Sequence, residues 1–217
     1  AAVIEYTNYL EYTANHPYAV IDLPWTVSAW IKVDWPAVGA DSGLISVGSA
    51  SLGIDYSNDE LVIYDGTYKA RTSIAGLDGT WIFVVFGYDG TNAFLSVNGA
   101  ERTTEAWTPG SYAMNWRVAR AEALILFHID QLTTWDRALS AYEISSLYKG
   151  GAGQAYPFQP LIAINEGIWA YWKMDESGSV TRLDATGNGN DLDSITGTVG
   201  SAGVKIGSGM FQVGTGS

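Results

Sequence analysis

The stretch Trp81-Ile-Phe-Val-Val-Phe-Gly-Tyr88 is the most apolar segment of this chain. A turn signal, Asp89-Gly90, follows it directly, and Ala93-Phe-Leu-Ser-Val97 then leads into a second signal, Asn98-Gly99. Such dipeptides supply the positive φ angles that tight hairpin turns require. The pattern therefore predicts two antiparallel strands, with residues 81–88 at the centre of a sheet.

The same kind of pattern recurs along residues 1–149. Residues 25–33 alternate between apolar and polar side chains, which predicts a strand that presents Trp25, Val27, Ala29, Ile31 and Val33 on one face. Further strands are predicted at 3–12, 43–48, 52–56, 61–64, 68–72, 93–97, 115–119 and 124–135. Strands that recur about every ten residues, separated by turn signals, indicate an all-β protein with an antiparallel two-sheet sandwich.

One short helix is expected in this sandwich. Ser140-Ala-Tyr-Glu143 matches a capping box, which predicts a helix over residues 141–148 that ends at Gly150-Gly151. Residues 150–160 are rich in Gly and Pro and are expected to form a linker.

Composition excludes several partners. The formal net charge is −12, from 23 Asp and Glu against 11 Lys and Arg, so phosphate backbones would repel the chain and nucleic acid is not expected as a partner. Cysteine is absent, which leaves neither disulfides nor a thiol nucleophile. No apolar run is long enough to insert into a membrane. The chain begins Ala-Ala without a basic region, so no signal peptide is visible, and Ala1 fits removal of an initiator Met or cleavage of a leader.

Several motifs together resemble one family. Trp81-(x)6-Tyr88-Asp-Gly-Thr91, then Phe94-Leu-Ser-Val-Asn-Gly99, resembles the core of laminin-G-like, concanavalin A-like lectin/glucanase domains. Segment 129–148 resembles the closing strand and helix of that family, and segment 26–32 resembles one of its early strands. The resemblance implies a jelly-roll sandwich built mainly from residues 1–149.

A further set of motifs resembles the opening of the same family but comes last in this chain. It comprises Gly167–Gly178, Asp184–Leu192 and Gly203–Gly207. The resemblance implies that residues 161–217 are the opening strands of the same fold, relocated to the C-terminus. Alone they would form only a hairpin or two, which is marginal in water, so they need a sandwich to pack against.

The two ends also resemble each other. Residues 3–12 and 209–217 are both predicted to be the same strand, and one position in a sheet can hold only one of them. The C-terminal segment is therefore expected to pack on its own body or to complete a neighbouring subunit head to tail by strand exchange. A third explanation is a piece of a tandem array of such domains.

A calcium site is the one cofactor that the sequence suggests. The loop Asp184-Ala-Thr-Gly-Asn188-Gly places oxygen-bearing side chains at alternate positions, a spacing that resembles a loop around Ca²⁺. The family resemblance implies a structural ion held by Asp184 and Asn188 together with Asp130. The alternative is a turn that Asp and Asn side chains cap without a metal.

No catalytic constellation is evident, so an enzyme is not expected. His16 and His128 lack metal-site spacing, no nucleophile elbow is present, and no run of alternating carboxylates matches the glucanases of the superfamily. Three function classes remain: a structural or decoration protein of a virion or another extracellular assembly, a carbohydrate-binding module of a larger surface or secreted protein, and, disfavoured, a glycosidase.

The expected partners follow from the first two classes. An assembly protein would bind copies of itself or other assembly proteins, whereas a carbohydrate-binding module would bind glycans. Trp35, Trp107 and Trp116 lie near predicted loops and are the candidates for stacking on sugar rings. The alternative for each is that it anchors its loop.

Overall fold

The computed structural model describes residues 9–12, 23–34, 42–109, 116–120, 126–159, 162–176, 181–196, 199–200, 205–206 and 211–213. These residues form two antiparallel sheets and a short α-helix, α1, at Ala141–Tyr148. The strands β1 to β15 are, in order, Tyr9–Tyr12, Trp25–Asp34, Ser42–Val47, Ala50–Asp55, Glu60–Tyr64, Tyr68–Ser73, Trp81–Tyr88, Asn92–Val97, Thr103–Ala106, Trp116–Arg120, Leu126–Trp135, Ile168–Trp172, Ser194–Thr196, Val199–Gly200 and Phe211–Val213.

The two sheets form the sandwich that the sequence predicts. A seven-stranded sheet has the order β13-β1-β10-β3-β4-β5-β6. An eight-stranded sheet has the order β14-β15-β11-β2-β7-β8-β9, and β12 pairs with β11 as its eighth strand. Strand β7, the apolar stretch, lies inside this second sheet between β2 and β8, which confirms its predicted central position. The all-β, jelly-roll expectation is confirmed.

The central core lies between the sheets because each strand turns its apolar face inward. On β2 the five predicted residues, Trp25, Val27, Ala29, Ile31 and Val33, are all buried in this core. Strands β3 to β5 add residues such as Ile45, Leu52 and Ile63, each fully buried. Burial of apolar area on this scale is the main force that holds the two sheets together.

The outer face of the eight-stranded sheet is covered by a second apolar cluster. Helix α1 contributes Ile144 and Leu147, and the segment after it contributes Phe158. They pack on Trp30 and Trp135, which point away from the central core. Residues 152–159, predicted as a linker, therefore lie along this sheet instead of spanning open solvent.

The predicted capping box is present at the start of α1. The Ser140 hydroxyl accepts from the Glu143 amide at 3.3 Å, and the Glu143 carboxylate accepts from the Ser140 amide at 2.8 Å. The helix ends at Lys149, whose left-handed backbone has a φ of 50°.

The C-terminal segment packs within the sheets of its own chain. Strand β12 pairs with β11, and β13 pairs with β1. Trp169, Trp172 and Met174 lie in the central core, and Trp172 donates its indole N–H to the Asn190 carbonyl at 2.8 Å. The apolar residues of this segment are thus sheltered by the body of the same chain.

The described parts of the two chain ends, residues 9–12 and 211–213, lie in different sheets. Strand β1 lies in the seven-stranded sheet between β10 and β13, whereas β15 lies in the eight-stranded sheet between β11 and β14. Similar sequences occupy different sheets because strand pairing is decided by neighbouring strands and not by local pattern. The remaining residues of both predicted strands lie outside the described part.

None of the helices in the described part has the length and apolar character that crossing a bilayer would require.

Candidate functional site

In the predicted calcium loop, the Asp184 carboxylate accepts hydrogen bonds from the loop itself and from β12. Asp184 Oδ1 accepts hydrogen bonds from the Tyr171 amide (3.1 Å), the Thr186 amide (3.0 Å) and the Thr186 hydroxyl (2.7 Å). Its Oδ2 accepts from the Asn190 amide at 3.2 Å. Four donors fill the carboxylate, which is the geometry of an Asx-type turn that ties the loop to β12.

Asn188 has a similar structural role. Its side-chain amide donates to the carbonyls of Ile168 and Trp169, at 3.2 and 3.1 Å. The Asn188 side-chain oxygen points away from its NH2 group, so it does not face the carbonyls of Ile168 and Trp169. Asn188 therefore ties the loop to β12 alongside Asp184.

Asp130 lies elsewhere, on β11, where it is fully buried. Its Oδ2 accepts from the amides of Lys205 and Ile206, at 3.1 and 2.8 Å, while its Oδ1 has no hydrogen-bond partner in the described part of the chain. Burial raises the pKa of Asp130 to about 6, the two amides lower it, and the nearby negative charge of Asp175 raises it. A carboxylate sealed from solvent in this way cannot reach a substrate.

The three predicted metal ligands therefore do not fit one calcium site. Asp184 and Asn188 are committed to hydrogen bonds around β12, and Asp130 is committed to a different segment. Within the described ranges, no group of three or more His, Cys, Asp or Glu side chains is placed to hold a metal ion. Calcium binding stays a prediction, and Asp184 would have to hold an ion mainly through Oδ2, which accepts one hydrogen bond, since Oδ1 accepts three.

The expectation that Trp107 is exposed is wrong. Its side chain is only 4% exposed, and its ring meets the edges of Trp25 and Tyr88, with centroids 6.5 and 5.4 Å apart. Its indole N–H donates to Asp65 Oδ2 at 3.1 Å. Buried Trp finds a partner for its N–H in this way, so Trp107 anchors its loop, which was the alternative.

The other two predicted tryptophans cannot be placed as platforms. Trp35 lies outside the described residues. Trp116 is the first residue of β10, where its backbone pairs with Val47 of β3.

An exposed face that sequence analysis did not single out lies on the seven-stranded sheet. Consecutive cross-strand partners form one line across five strands: Arg117 on β10, Ser46 on β3, Ser51 on β4, Tyr64 on β5 and Tyr68 on β6. We call these five residues the outer row.

The outer row faces away from the central core. Ser46 and Ser51 stand between core residues on their own strands, and side chains alternate along a strand, so both point to the opposite face. Tyr64 follows the core residue Ile63 for the same reason and is 45% exposed. Ser46 and Ser51 are the small side chains of the row and lie between Tyr64 and Arg117.

A β-bulge places the second tyrosine on this face. The register between β5 and β6 shifts from Ile63↔Ala70 to Tyr64↔Tyr68, which leaves Lys69 as an extra residue. Without the shift, Tyr68 would point to the same side as the buried Ala70; bulges redirect side chains in this manner. The two tyrosine rings instead meet edge to face, with centroids 5.8 Å apart.

Arg71 adds a cation beside the tyrosines. Its guanidinium carbon lies 4.6 Å from the centre of the Tyr68 ring, and its Nη1 lies 3.3 Å from Glu60 Oε2. The Arg71 side chain is 45% exposed. An exposed pair of this kind contributes little to stability.

The sequence carried a signal for this face. Tyr64-Asp-Gly-Thr-Tyr68 is a hairpin with a tyrosine at each foot, and Gly66 has the positive φ, 73°, that the turn requires. The predicted sugar-stacking residues were all tryptophans, so Tyr64 and Tyr68 were not among them.

Comparisons with known proteins agree with this fold. A model of the concanavalin A-like lectin/glucanases superfamily matches residues 7–145. No curated protein matches the sequence. Among solved structures, a proposed carbohydrate binding protein from Bacteroides ovatus is similar, with a TM-score of 0.60 and 18% identity. That match covers 88% of this chain and 57% of the other.

Toxin domains are also similar. The binding domain of botulinum neurotoxin serotype D has a TM-score of 0.52 at 15% identity, covering 66% of this chain and 42% of its own. The binding domain of botulinum neurotoxin DC, solved in complex with SialylT, has a TM-score of 0.51 at 16% identity, with 65% and 41% covered. At these identities the likeness shows the fold, and this chain spans about two fifths to three fifths of the proteins it matches.

Proposed function

Because this chain belongs to the concanavalin A-like lectin/glucanase superfamily, we propose that it is a non-enzymatic carbohydrate-binding module that holds its ligand on the outer row. The observation that carries this proposal is the edge-to-face pair of Tyr64, which is 45% exposed, and Tyr68, which is half-buried, at one end of a row that faces away from the central core. It would serve as a module of a larger surface or secreted protein.

The chemistry of the row suits a sugar. A tyrosine ring offers an apolar face with a polar tip, which matches a pyranose that has an apolar C–H face and hydroxyls around its edge. Tyrosine also provides this contact area at a low cost in conformational entropy. Beyond Tyr64, the hydroxyls of Ser51 and Ser46 and the Arg117 side chain line the path that further hydroxyls would follow.

The length of the row favours an oligosaccharide. Neighbouring strands lie about 4.8 Å apart, so the three strand spacings from Tyr64 to Arg117 span about 14 Å. A ligand that used the whole row would be longer than one sugar.

Similar proteins support the proposal. The Bacteroides ovatus protein is described as a carbohydrate binding protein, and the botulinum neurotoxin DC domain was solved with SialylT. Their likeness makes glycan binding a reasonable use of this fold, while the residues that carry it here are those of this chain.

The test is a glycan array followed by calorimetry on the best ligand, with Tyr64→Ala compared with Tyr142→Ala. Tyr142 is the matched control because it is an exposed tyrosine, at 68%, on α1. We expect Tyr64→Ala to weaken binding about tenfold, which corresponds to about 1.4 kcal/mol. Tyr142→Ala should bind like wild type. Equal binding by wild type and Tyr64→Ala would overturn the proposal.

A second candidate is a building block of a virion or another extracellular assembly, joined head to tail by strand exchange. The observation in its favour is that β13 and β14 each lie at one edge of their sheet in the described part, held by ladders of three and two residue pairs. Such short edge strands can pair with another chain as well as with their own. Mass photometry distinguishes the two, since exchange gives concentration-dependent multimers and an isolated module stays monomeric.

A further inference from the structure

Arg71 is held in place with part of its guanidinium still available. Its guanidinium carbon lies over the Tyr68 ring, 4.6 Å from the ring centre, and Nη1 donates to Glu60 Oε2 at 3.3 Å. Among the described residues, Nε and Nη2 have no hydrogen-bond partner. These two nitrogens lie on one edge of the guanidinium, and their N–H groups form the fork that binds a carboxylate through two parallel hydrogen bonds.

This fork lies next to the proposed stacking surface. The centre of the Tyr68 ring lies 4.6 Å from the guanidinium carbon of Arg71 and 5.8 Å from the centre of the Tyr64 ring. A sugar on Tyr64 could therefore bring a substituent to Arg71. We propose that the site selects acidic glycans, with Arg71 binding the carboxylate of a sugar acid whose neighbouring ring stacks on Tyr64. This inference rests on the proposed function.

Charge limits the ligand to one with sparse negative charge. Glu60 already neutralises part of the Arg71 charge, and the whole chain carries a net charge of −12. A densely sulfated polymer would be repelled over most of its length, whereas one carboxylate that meets one guanidinium at short range would not. The ligand class is therefore an oligosaccharide with a single carboxylate within reach of Arg71.

The experiment uses matched ligand pairs and the full chain. Sialyllactose is compared with lactose, and a trisaccharide that carries one glucuronic acid is compared with its methyl ester, by calorimetry at low and at physiological salt. We expect at least one acid to bind ten or more times more tightly than its neutral partner, with the difference shrinking two- to threefold at the higher salt.

Three variants assign the selectivity to the guanidinium. Arg71→Lys keeps the charge but not the fork, so the preference for the acid should fall about tenfold while the neutral partner is unaffected. Lys69→Met removes a positive charge from the same strand, where Lys69 Nζ donates to Thr67, and should change the preference less than twofold. Glu60→Gln removes the competing carboxylate and should tighten acid binding three- to tenfold.

The outcomes separate the two proposals. If the chain binds neutral glycans in a Tyr64-dependent way and prefers no acid in either pair, the acidic-ligand inference is overturned and the carbohydrate-binding proposal stands. If acid preference survives Arg71→Lys, the role of the fork is overturned. If Tyr64→Ala changes binding to no glycan, both proposals fail.

Discussion

The outer faces of the two sheets differ in how far their aromatic side chains are exposed. On the eight-stranded sheet, aromatic residues such as Trp30 and Trp135 lie beneath α1 and residues 152–159, at 2% exposure each. On the seven-stranded sheet, Tyr64 stands in the outer row at 45% exposure. Aromatic residues are thus buried on the covered face, whereas Tyr64 is exposed in the outer row, where we propose that it contacts a ligand.

The covered face also holds the C-terminal segment in place. The Lys205 ammonium lies 4.3 Å from the centre of the Trp30 ring and donates to the Gly151 carbonyl at 2.6 Å. Gly153 has a φ of 69°, and a Cβ there would collide with Ile206 and Trp30. Three segments are closely packed at this point: residues 150–153, β2 and residues 205–206. The outer row differs, because it includes the exposed side chain of Tyr64.

The largest effect is expected from removing residues 161–217. The deletion takes away β12 to β15 and exposes the apolar surface that Trp169, Trp172 and Met174 cover, so we expect an insoluble or molten chain. Calorimetry and near-ultraviolet circular dichroism measure this. A cooperative thermal transition like that of the full chain would show that the body does not need this segment.

A tryptophan on the covered face should matter next most. Trp135→Ala removes a ring that stacks on Phe158 and an indole N–H that donates to the Ile164 carbonyl at 2.8 Å, so we expect about 3–5 kcal/mol lower free energy of unfolding.

The comparison for that variant is Tyr64→Ala on the open face, which should cost less than about 1 kcal/mol. Urea unfolding measures both. Similar losses at the two positions would contradict the division of roles between the faces.

Asp130 gives a pH-dependent effect of intermediate size. Burial raises its pKa in the folded state to about 6, above the ordinary value of 3.8, so the folded state binds this proton more tightly. Its contribution therefore makes the protein more stable as pH falls from above 6 to about 4, by roughly 2–3 kcal/mol.

Asp130→Asn should remove this pH dependence while its amide oxygen still accepts from the Lys205 and Ile206 amides. The measurement is the difference in free energy of unfolding between wild type and variant from pH 4 to pH 7.5, which cancels the other carboxylates. That difference should favour the variant most at pH 7.5; a difference that stays constant with pH would contradict the assignment.

Calcium should have the smallest effect. Because Asp184 accepts four hydrogen bonds from its own chain, we expect a melting temperature that changes by less than about 1 °C between EDTA and millimolar Ca²⁺. A clear rise with Ca²⁺ that Asp184→Asn abolishes would show that the loop rearranges around the ion.

Local patterns in the sequence were sufficient for much of the fold. The alternation of residues 25–33, the hairpin at Asp89-Gly90 and the capping box at Ser140 each depend on near neighbours, and each was predicted correctly. Strand β9 was missed because Thr103–Ala106 is fully exposed and has no apolar alternation.

The site depends on long-range pairing that local patterns do not contain. Trp107 resembled a loop aromatic, yet Asp65, 42 residues away, and Trp25 bury it. Tyr68 joins the open face only through the bulge between β5 and β6. The outer row itself exists only once the order of β10, β3, β4, β5 and β6 is known.

The most direct measurement of the division between the faces is a map of amide and side-chain NMR shifts during titration with an oligosaccharide that binds. The account predicts that the largest shifts fall on Ser51, Tyr64, Tyr68 and Arg71, while the indole N–H of Trp135 and the amides of α1 stay unchanged. Shifts centred on α1 or on residues 152–159, with the outer row unaffected, would contradict it.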